Sequence, residues 1–327
     1  MTINEIAALS GVSRATVSRY LNHGYVSGEK KERIKKVIEE TGYQPSTQAQ
    51  MLRAKKTSCI AVLISDIAAT KSSRMLHGIS EVLMNKGYQC LLYNTENNSK
   101  KECEYLRQLT TNRIDGIIFI GTPFSKEHHK IMKGNSVPFV VLGQQVKEYS
   151  CVFADEYGAA KELTKSALQK GYNHAFLGSF LEEDVSERER LYGFLDAHFD
   201  IDHTIEDYQC MKVDASFQGG FDGAKELLKN FTEIDTIVCA FDELAAGVIA
   251  YLNEIHKMIP KEIQVLSFGD DVISKVTTPT ITTVHFYNKT SGIEAANILM
   301  NIIENNFTIR KEMKMGYQII KRDSFDF

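Results

Sequence analysis

No stretch of this 327-residue chain approaches the roughly 20 consecutive apolar residues that a bilayer crossing needs. The N-terminus carries a helix-capping pattern where a secretory leader would place its apolar run, so the chain reads as soluble and cytoplasmic. Its six cysteines, at 59, 90, 103, 151, 210 and 239, include no C-x-x-C pair, and most fall inside strand-like runs as buried, reduced thiols. A phosphate-binding glycine loop, a metal-ligand spacing and a nucleophile motif are all missing. Asp242 with Asp270 is only a weak acid/base pair on sequence alone, so neither catalysis, a metal nor a cofactor is expected.

What is present is a compact, basic start. Thr2 followed by Glu5 makes a capping-box pattern just ahead of Ile3, Ile6 and Ala7, whose spacing gives a short helix one apolar face. Leu9-Ser10-Gly11 reads as the turn behind it. Ser13 is placed to cap a second helix in which Val17 and Leu21 point inward and Arg14, Ala15, Ser18, Arg19 and Asn22 share the opposite face. Two arginines there suit forked contacts to guanine edges, the Ala15 methyl suits a thymine methyl, and Thr16 or Ser18 suits a phosphate. A third helix, with Ile34, Val37 and Ile38 at core spacing, is predicted to end near Gly42. Residues 1–56 hold ten Lys and Arg against five Asp and Glu; that +5 leaves −9 for the remainder, since the whole chain stands at −4. Such polarity fits a nucleic-acid module on an acidic body that phosphate would repel. The alternative is a solvated helical bundle whose basic face binds nothing.

These residues resemble the LacI/GalR family of bacterial transcription regulators, whose opening usually reads TI-x-(D/E)-(V/I)-A-x-x-(A/S)-GVS-x-x-TVSR-x-LN. Here it stands as Thr2-Ile3-Asn4-Glu5-Ile6-Ala7, then Gly11-Val12-Ser13-Arg14-Ala15-Thr16-Val17-Ser18-Arg19-Tyr20-Leu21-Asn22, and it continues through Gly42-Tyr43-Gln44-Pro45 to Leu52-Arg53. The resemblance implies an N-terminal all-α helix-turn-helix domain over 1–45, a hinge helix and linker over 46–57, and an effector-binding and dimerisation core over 58–327. In the family, the segment matching Ser46 to Arg53 folds when two subunits meet on the operator, and the residue at Leu52 wedges into the minor groove and kinks the duplex. An ordinary core leucine is the other reading of Leu52. Candidate DNA-contacting residues are then Thr2, Ser13, Arg14, Ala15, Thr16, Ser18, Arg19, Asn22, Tyr43, Ser46, Ala49 and Leu52.

After residue 57, apolar runs alternate with amphipathic helical patterns: Cys59 to Ile64, Tyr88 to Tyr93, Gly116 to Ile120, Phe139 to Leu142, Ala175 to Leu177, Thr236 to Ala240 and Gln264 to Phe268. Alternation of this kind predicts a parallel sheet with right-handed crossovers. Lys86-Gly87-Tyr88 and Lys170-Gly171-Tyr172 each fit a glycine C-cap at a helix-to-strand junction and suggest two related halves. The arrangement resembles the α/β two-lobed, periplasmic-binding-protein-like (type I) core of the same family. That fold crosses between lobes three times, here near 155, 284 and 315. Lobe one is then about 58–155 and 285–315, and lobe two about 156–284 and 316–327, with a ligand held between them.

Three family cleft motifs can be followed. Arg188-Glu189-Arg190-Leu191-Tyr192-Gly193-Phe194 matches R-x-R-L-x-G-(Y/F), in which the arginine at 190 holds ligand oxygens; a surface arginine paired with Glu187 is the alternative. Cys239-Ala240-Phe241-Asp242-Glu243-Leu244-Ala245 matches A-x-N-D-x-x-A with Phe241 for asparagine, leaving Asp242 as helix cap or ligand contact and Phe241 as sugar-stacking or packing. Ser267-Phe268-Gly269-Asp270-Asp271 aligns with G-F-D-(D/N), putting Gly269 where an aspartate is usual, with Asp270 as its replacement if the loop shifts. Relatives often carry D-I-x-N-P-F-F where this chain has Asp66-Ile67-Ala68-Ala69-Thr70-Lys71-Ser72-Ser73-Arg74. Lys71, Ser72 and Arg74 at a helix N-terminus, with Arg190, suit an anionic effector such as a sugar phosphate or sugar acid; the alternative is a solvated basic face at a subunit interface.

The expectation is a homodimeric repressor of carbohydrate-utilisation genes that binds double-stranded, palindromic operator DNA and answers to a small carbohydrate-derived effector. The chain stops at Phe327 without an apolar heptad tail, so a dimer is expected rather than a tetramer. The alternative within the class is a global catabolite regulator with a phosphorylated protein as co-repressor. A solute-binding protein would need a leader in place of the basic start.

Overall fold

The computed structural model describes residues 1–21, 24–43, 57–111, 114–171, 173–179, 184–203, 205–206, 209–305 and 309–326. Asn22, Ser46, Ala49 and Leu52, with the rest of the expected hinge up to residue 56, lie outside the described residues. The chain divides into two compact units, Met1–Ser58 and Cys59–Phe327.

The first unit holds α1 (Ile3–Ser10), α2 (Arg14–Leu21) and α3 (Gly28–Thr41). The capping box forms in full: the Thr2 amide donates to Glu5 Oε2 at 2.7 Å, and the Glu5 amide donates to Thr2 Oγ1 at 3.4 Å. Leu9 and Ser10 belong to α1 rather than to the turn, because the Ser10 hydroxyl donates back to the Ile6 carbonyl at 2.6 Å and Gly11, at φ +62°, makes the break. Ile6, Ala7, Val17 and Ile34 form its small core, and Gly42 ends α3 at φ +61°.

The second unit carries two six-stranded sheets. Sheet one orders β11 (Glu312–Met315), β5 (Ser150–Ala154), β4 (Phe139–Leu142), β3 (Gly116–Ile120), β1 (Cys59–Ile64) and β2 (Gln89–Asn94), all parallel. Sheet two orders β12 (Tyr317–Ile320), β10 (Thr282–Phe286), β9 (Gln264–Phe268), β8 (Thr236–Cys239), β6 (His174–Gly178) and β7 (Cys210–Lys212). It departs from the all-parallel expectation at one edge, where β12 runs antiparallel to β10. Gly316, between β11 and β12, passes the chain directly from one sheet to the other. The middle crossing follows Phe286, close to the expected position near 284, since Phe286 still pairs with Tyr317.

Helices cover both sheets: α4 (Thr70–Asn85), α5 (Ser99–Thr111), α6 (Lys126–Met132) and α12 (Asn288–Asn305) on lobe one, and α7 (Glu156–Leu168), α8 (Val185–Phe199), α9 (Phe217–Asn230), α10 (Asp242–Glu254) and α11 (Ile273–Val276) on lobe two. Two of the lobe-one helices cross in near backbone contact. A Cβ on Gly292 would stand 2.0 Å from the Met75 carbonyl oxygen, and one on Gly78 would stand 2.0 Å from that of Lys289. Gly87 is the left-handed cap read from the sequence, at φ +73°, but Gly171 is not at positive φ. A Cβ at 171 would meet Asp235 Oδ2 at 2.2 Å, so a larger residue there would have to push the Asp235 carboxylate aside.

Candidate functional site

In the first unit, Ser13 does what its position suggests: its hydroxyl accepts from the Thr16 amide at 3.2 Å and shares a 2.9 Å hydrogen bond with Thr16 Oγ1. Burying Val17 turns the other side of α2 outward, leaving Arg14, Ala15 and Arg19 exposed, with Thr16, Ser18 and Tyr43 half-buried. Thr2 is exposed as well. The arginines thus project from one short, capped helix, the shape that fits a major groove.

In the second unit, a cavity of about 500 Å³ opens where the carboxyl ends of β1, β3, β4, β9 and β10 meet α4 and α8. Lys71, Ser72, Arg190 and Phe241 line it, as do Asp66, Asn97, Gln144, Asp184, Glu243 and Asp271. The N-cap position of α4, Ala69, offers no side-chain hydrogen bond to the helix's first amides, and residues 69–72 line this space.

The cations here are already engaged. Glu156, the first residue of α7, accepts from Lys71 Nζ at 3.2 Å through one oxygen and from Arg190 Nε at 2.9 Å through the other. Lys71 also donates to the Ser186 hydroxyl, so a lobe-one side chain is tied to two lobe-two elements. Arg190 donates to the Ala240 carbonyl at 2.5 Å and lies with its guanidinium carbon 5.1 Å from the ring centroids of both Phe268 and Phe286. Burial alone would raise the Glu156 carboxyl, but the Arg190 and Lys71 charges hold it below the usual carboxylate range. Glu187, the surface partner considered for Arg190, instead accepts from Ser179 Oγ at 2.6 Å.

Two assignments made from sequence are corrected. Asp242 neither caps α10 nor lines the cavity: its fully buried carboxylate accepts from Ser267 Oγ, from Thr283 Oγ1 at 2.6 Å and from the Asp271 amide at 2.6 Å. It pins the ends of β9 and β10 to the loop behind them. Asp270 turns away from the cavity, its carboxylate bonded to Arg322 at 2.5 Å and to His285 Nδ1 at 3.0 Å. Burial pushes Asp270 up, and the Arg322 and His285 contacts outweigh that and lower it. Of the two neighbours it is Asp271 that lies on the cavity wall, its carboxyl raised by burial and by nearby Asp242.

Arg74 is outside the cavity lining and acts as a strap. It donates to the carbonyls of Gly269 at 3.1 Å and Asp270 at 3.2 Å, and pairs with Asp271 Oδ1 at 3.2 Å. The cationic face read at Lys71, Arg74 and Arg190 is therefore partly offset by acids of the same chain, Lys71 and Arg190 sharing Glu156 and Arg74 pairing with Asp271. Glu156 and Asp271 were missed because their partners lie 85 and 197 residues away; only the strand-end position of Asp271 signals it. Among the described residues, no group of three or more His, Cys, Asp or Glu is placed to hold a metal ion, and no helix is long and apolar enough to cross a membrane.

A six-stranded sheet in each lobe, a cleft between them and a separate helix-turn-helix unit together define a two-lobed ligand-binding core joined to a DNA-binding domain. The family described as bacterial regulatory proteins, lacI family, matches residues 2–46, and that described as periplasmic binding proteins and sugar binding domain of LacI family matches residues 54–322. The chain belongs to the LacI family of DNA-binding transcriptional regulators. It is 29% identical to the sucrose operon repressor of Staphylococcus xylosus over 310 residues, covering 93% of this chain and 94% of the relative. It is also 27% identical to catabolite control protein A of Priestia megaterium over 288 residues, 87% of each. The fold is shared with the lac repressor dimer bound to operator and the anti-inducer ONPF, with a TM-score of 0.88 and 19% identity over 99% of this chain and 98% of that one. The family and these relatives are regulators, not enzymes.

Proposed function

We propose that the protein is a cytoplasmic repressor of carbohydrate-utilisation genes that binds a palindromic operator as a homodimer and is controlled by a small carbohydrate-derived effector held between its lobes. The observation carrying this reading is the cavity of about 500 Å³ walled by residues of both lobes, since a molecule bound there contacts both and favours one lobe arrangement over another. The sucrose operon repressor among the relatives supports carbohydrate control. Arg14 and Arg19 read bases in each half-site, with Ala15 against a thymine methyl and Ser13, Thr16 and Ser18 toward phosphates. Pairing of Lys71 and Arg190 with Glu156, and of Arg74 with Asp271, weakens the case for a sugar phosphate or sugar acid.

A DNase footprint of the purified protein on upstream regions of carbohydrate genes tests the DNA half of this proposal. Two symmetric half-sites one helical turn apart support it, and a footprint without dyad symmetry counts against it. A second reading, a global regulator with a phosphorylated protein co-repressor, draws on the similarity to catabolite control protein A and on a cleft already strapped by its own ion pairs. Retention of a phosphoprotein on the immobilised full chain, without any small molecule, would favour it.

A further inference from the structure

Glu156 stands at a place built for an anion. It opens α7, whose unpaired amides favour negative charge, and Asp155 supplies the cap by accepting from the Gly158 amide at 3.0 Å. A lysine from lobe one and an arginine from lobe two converge on it, one on each carboxylate oxygen. Helix terminus, point cation and planar guanidinium are the parts that hold a phosphate or carboxylate ligand, and here the chain's own carboxylate, 5% exposed, fills the position.

We propose that Glu156 is a built-in counter-ion that sets the charge of the effector this cleft admits, accepting an uncharged polyol and refusing a phosphorylated or carboxylated one. An incoming anion must either sit beside the Glu156 charge or evict it from both cations, leaving a carboxylate buried without a partner. Glu156 lies behind Lys71 and Arg190, which line the cavity; the walls add to the refusal, for Asp66, Asp184, Glu243 and Asp271 face the cavity and Arg74 is spent on Asp271. An uncharged polyol meets no such penalty: its oxygens accept from the uncapped amides of α4, and its hydroxyls donate to the acids on the wall. This deepens, and rests on, the reading of the cleft as an effector site.

The test is calorimetric titration of the full-length protein with inorganic phosphate at fixed ionic strength, comparing wild type, Glu156→Gln and Glu156→Asp. The amide keeps an acceptor for Arg190 while removing the charge; the aspartate keeps the charge. Wild type and Glu156→Asp should show no saturable phosphate binding up to the highest concentration titrated, and Glu156→Gln should saturate with a Kd about tenfold or more below that concentration, a conservative figure for removing one like charge beside a bound anion after screening. Saturable phosphate binding by wild type that Lys71→Met abolishes would overturn the proposal even if Glu156→Gln fails to fold. Equal phosphate affinity in wild type and a folded Glu156→Gln would overturn it too. The phosphate result is independent of the sugar: gained affinity with no sugar altering operator binding leaves the charge selector standing and removes the effector reading, whereas the opposite pair of results does the reverse.

Discussion

Arg74 in lobe one lies 3.2 Å from the Asp271 carboxylate in lobe two, and the same guanidinium donates to the carbonyls of Gly269 and Asp270. One side chain thus clamps the loop that Asp242 holds from behind. Arg74→Ala should let the lobes part more often at small thermodynamic cost, about 1 kcal/mol, since the pair is about one-third exposed and screened. Hydrogen exchange should quicken at residues 70–76 and 269–272, and high salt should make wild type behave the same way. Unchanged exchange in both would show that the strap holds nothing.

Asp242 is a costlier loss. Replacing it with alanine strands two hydroxyls and one amide in a buried setting, a destabilisation of roughly 3 kcal/mol. Urea unfolding should show a lower midpoint for Asp242→Ala, with Ser267→Ala milder because it removes a donor rather than the shared acceptor. If the serine variant proved the worse of the two, the carboxylate would not be the anchor.

Acid should weaken lobe two through a histidine pair far from the cleft. His198 Nδ1 lies 2.9 Å from the Phe194 carbonyl and so donates, which makes its Nε2 the acceptor for His174 Nδ1 at 3.0 Å. Burial keeps both rings neutral even though Asp235 Oδ1 stands 3.7 Å from His174 Nε2. Burial, reinforced by His198 and His203, pushes His174 down to about 3, and burial lowers His198 as well. Their unfolded forms take up protons near pH 6.5 while the folded forms resist, so this stability is complete above pH 6.5 and lost as pH falls below it, at up to about 1.4 kcal/mol per unit for each ring. Urea midpoints should drop between pH 7.5 and 5, and His174→Phe should flatten that slope. A variant with the wild-type slope would contradict this.

In the first unit, Arg19→Ala should relax discrimination at one base pair by roughly 1–3 kcal/mol, as a lost fork to a guanine edge would. Competition binding with operators mutated one position at a time checks it. A uniform loss across all positions would make Arg19 a phosphate contact instead.

How much of this was legible in sequence depended on distance along the chain. The Thr2–Glu5 box, the Ser13 cap and the Gly87 turn are local, so residue type and spacing were enough. β1, β3, β4 and β9 read correctly to the residue because each is a short, continuous buried run. β7 and β11 escaped as short edge strands of three and four residues, and β10 escaped because its threonines are buried by hydrogen bonds rather than by apolarity. At the cleft, Arg190, Lys71 and Phe241 could be placed by motif. The groups that neutralise the cations could not, since no local pattern says that Glu156 meets Lys71 across the lobes. Asp242 shows the same limit: its position was recognisable, while Ser267 and Thr283, which decide its role, come from other strands.

The most direct test of the whole account is the affinity of the full-length protein for its footprinted operator, measured by fluorescence polarisation with and without a panel of neutral sugars, sugar phosphates and sugar acids. Tight, salt-dependent binding that one neutral sugar shifts and its phosphorylated counterpart does not is the expected result. Operator affinity that no sugar changes, or that only an anionic sugar changes, would contradict it.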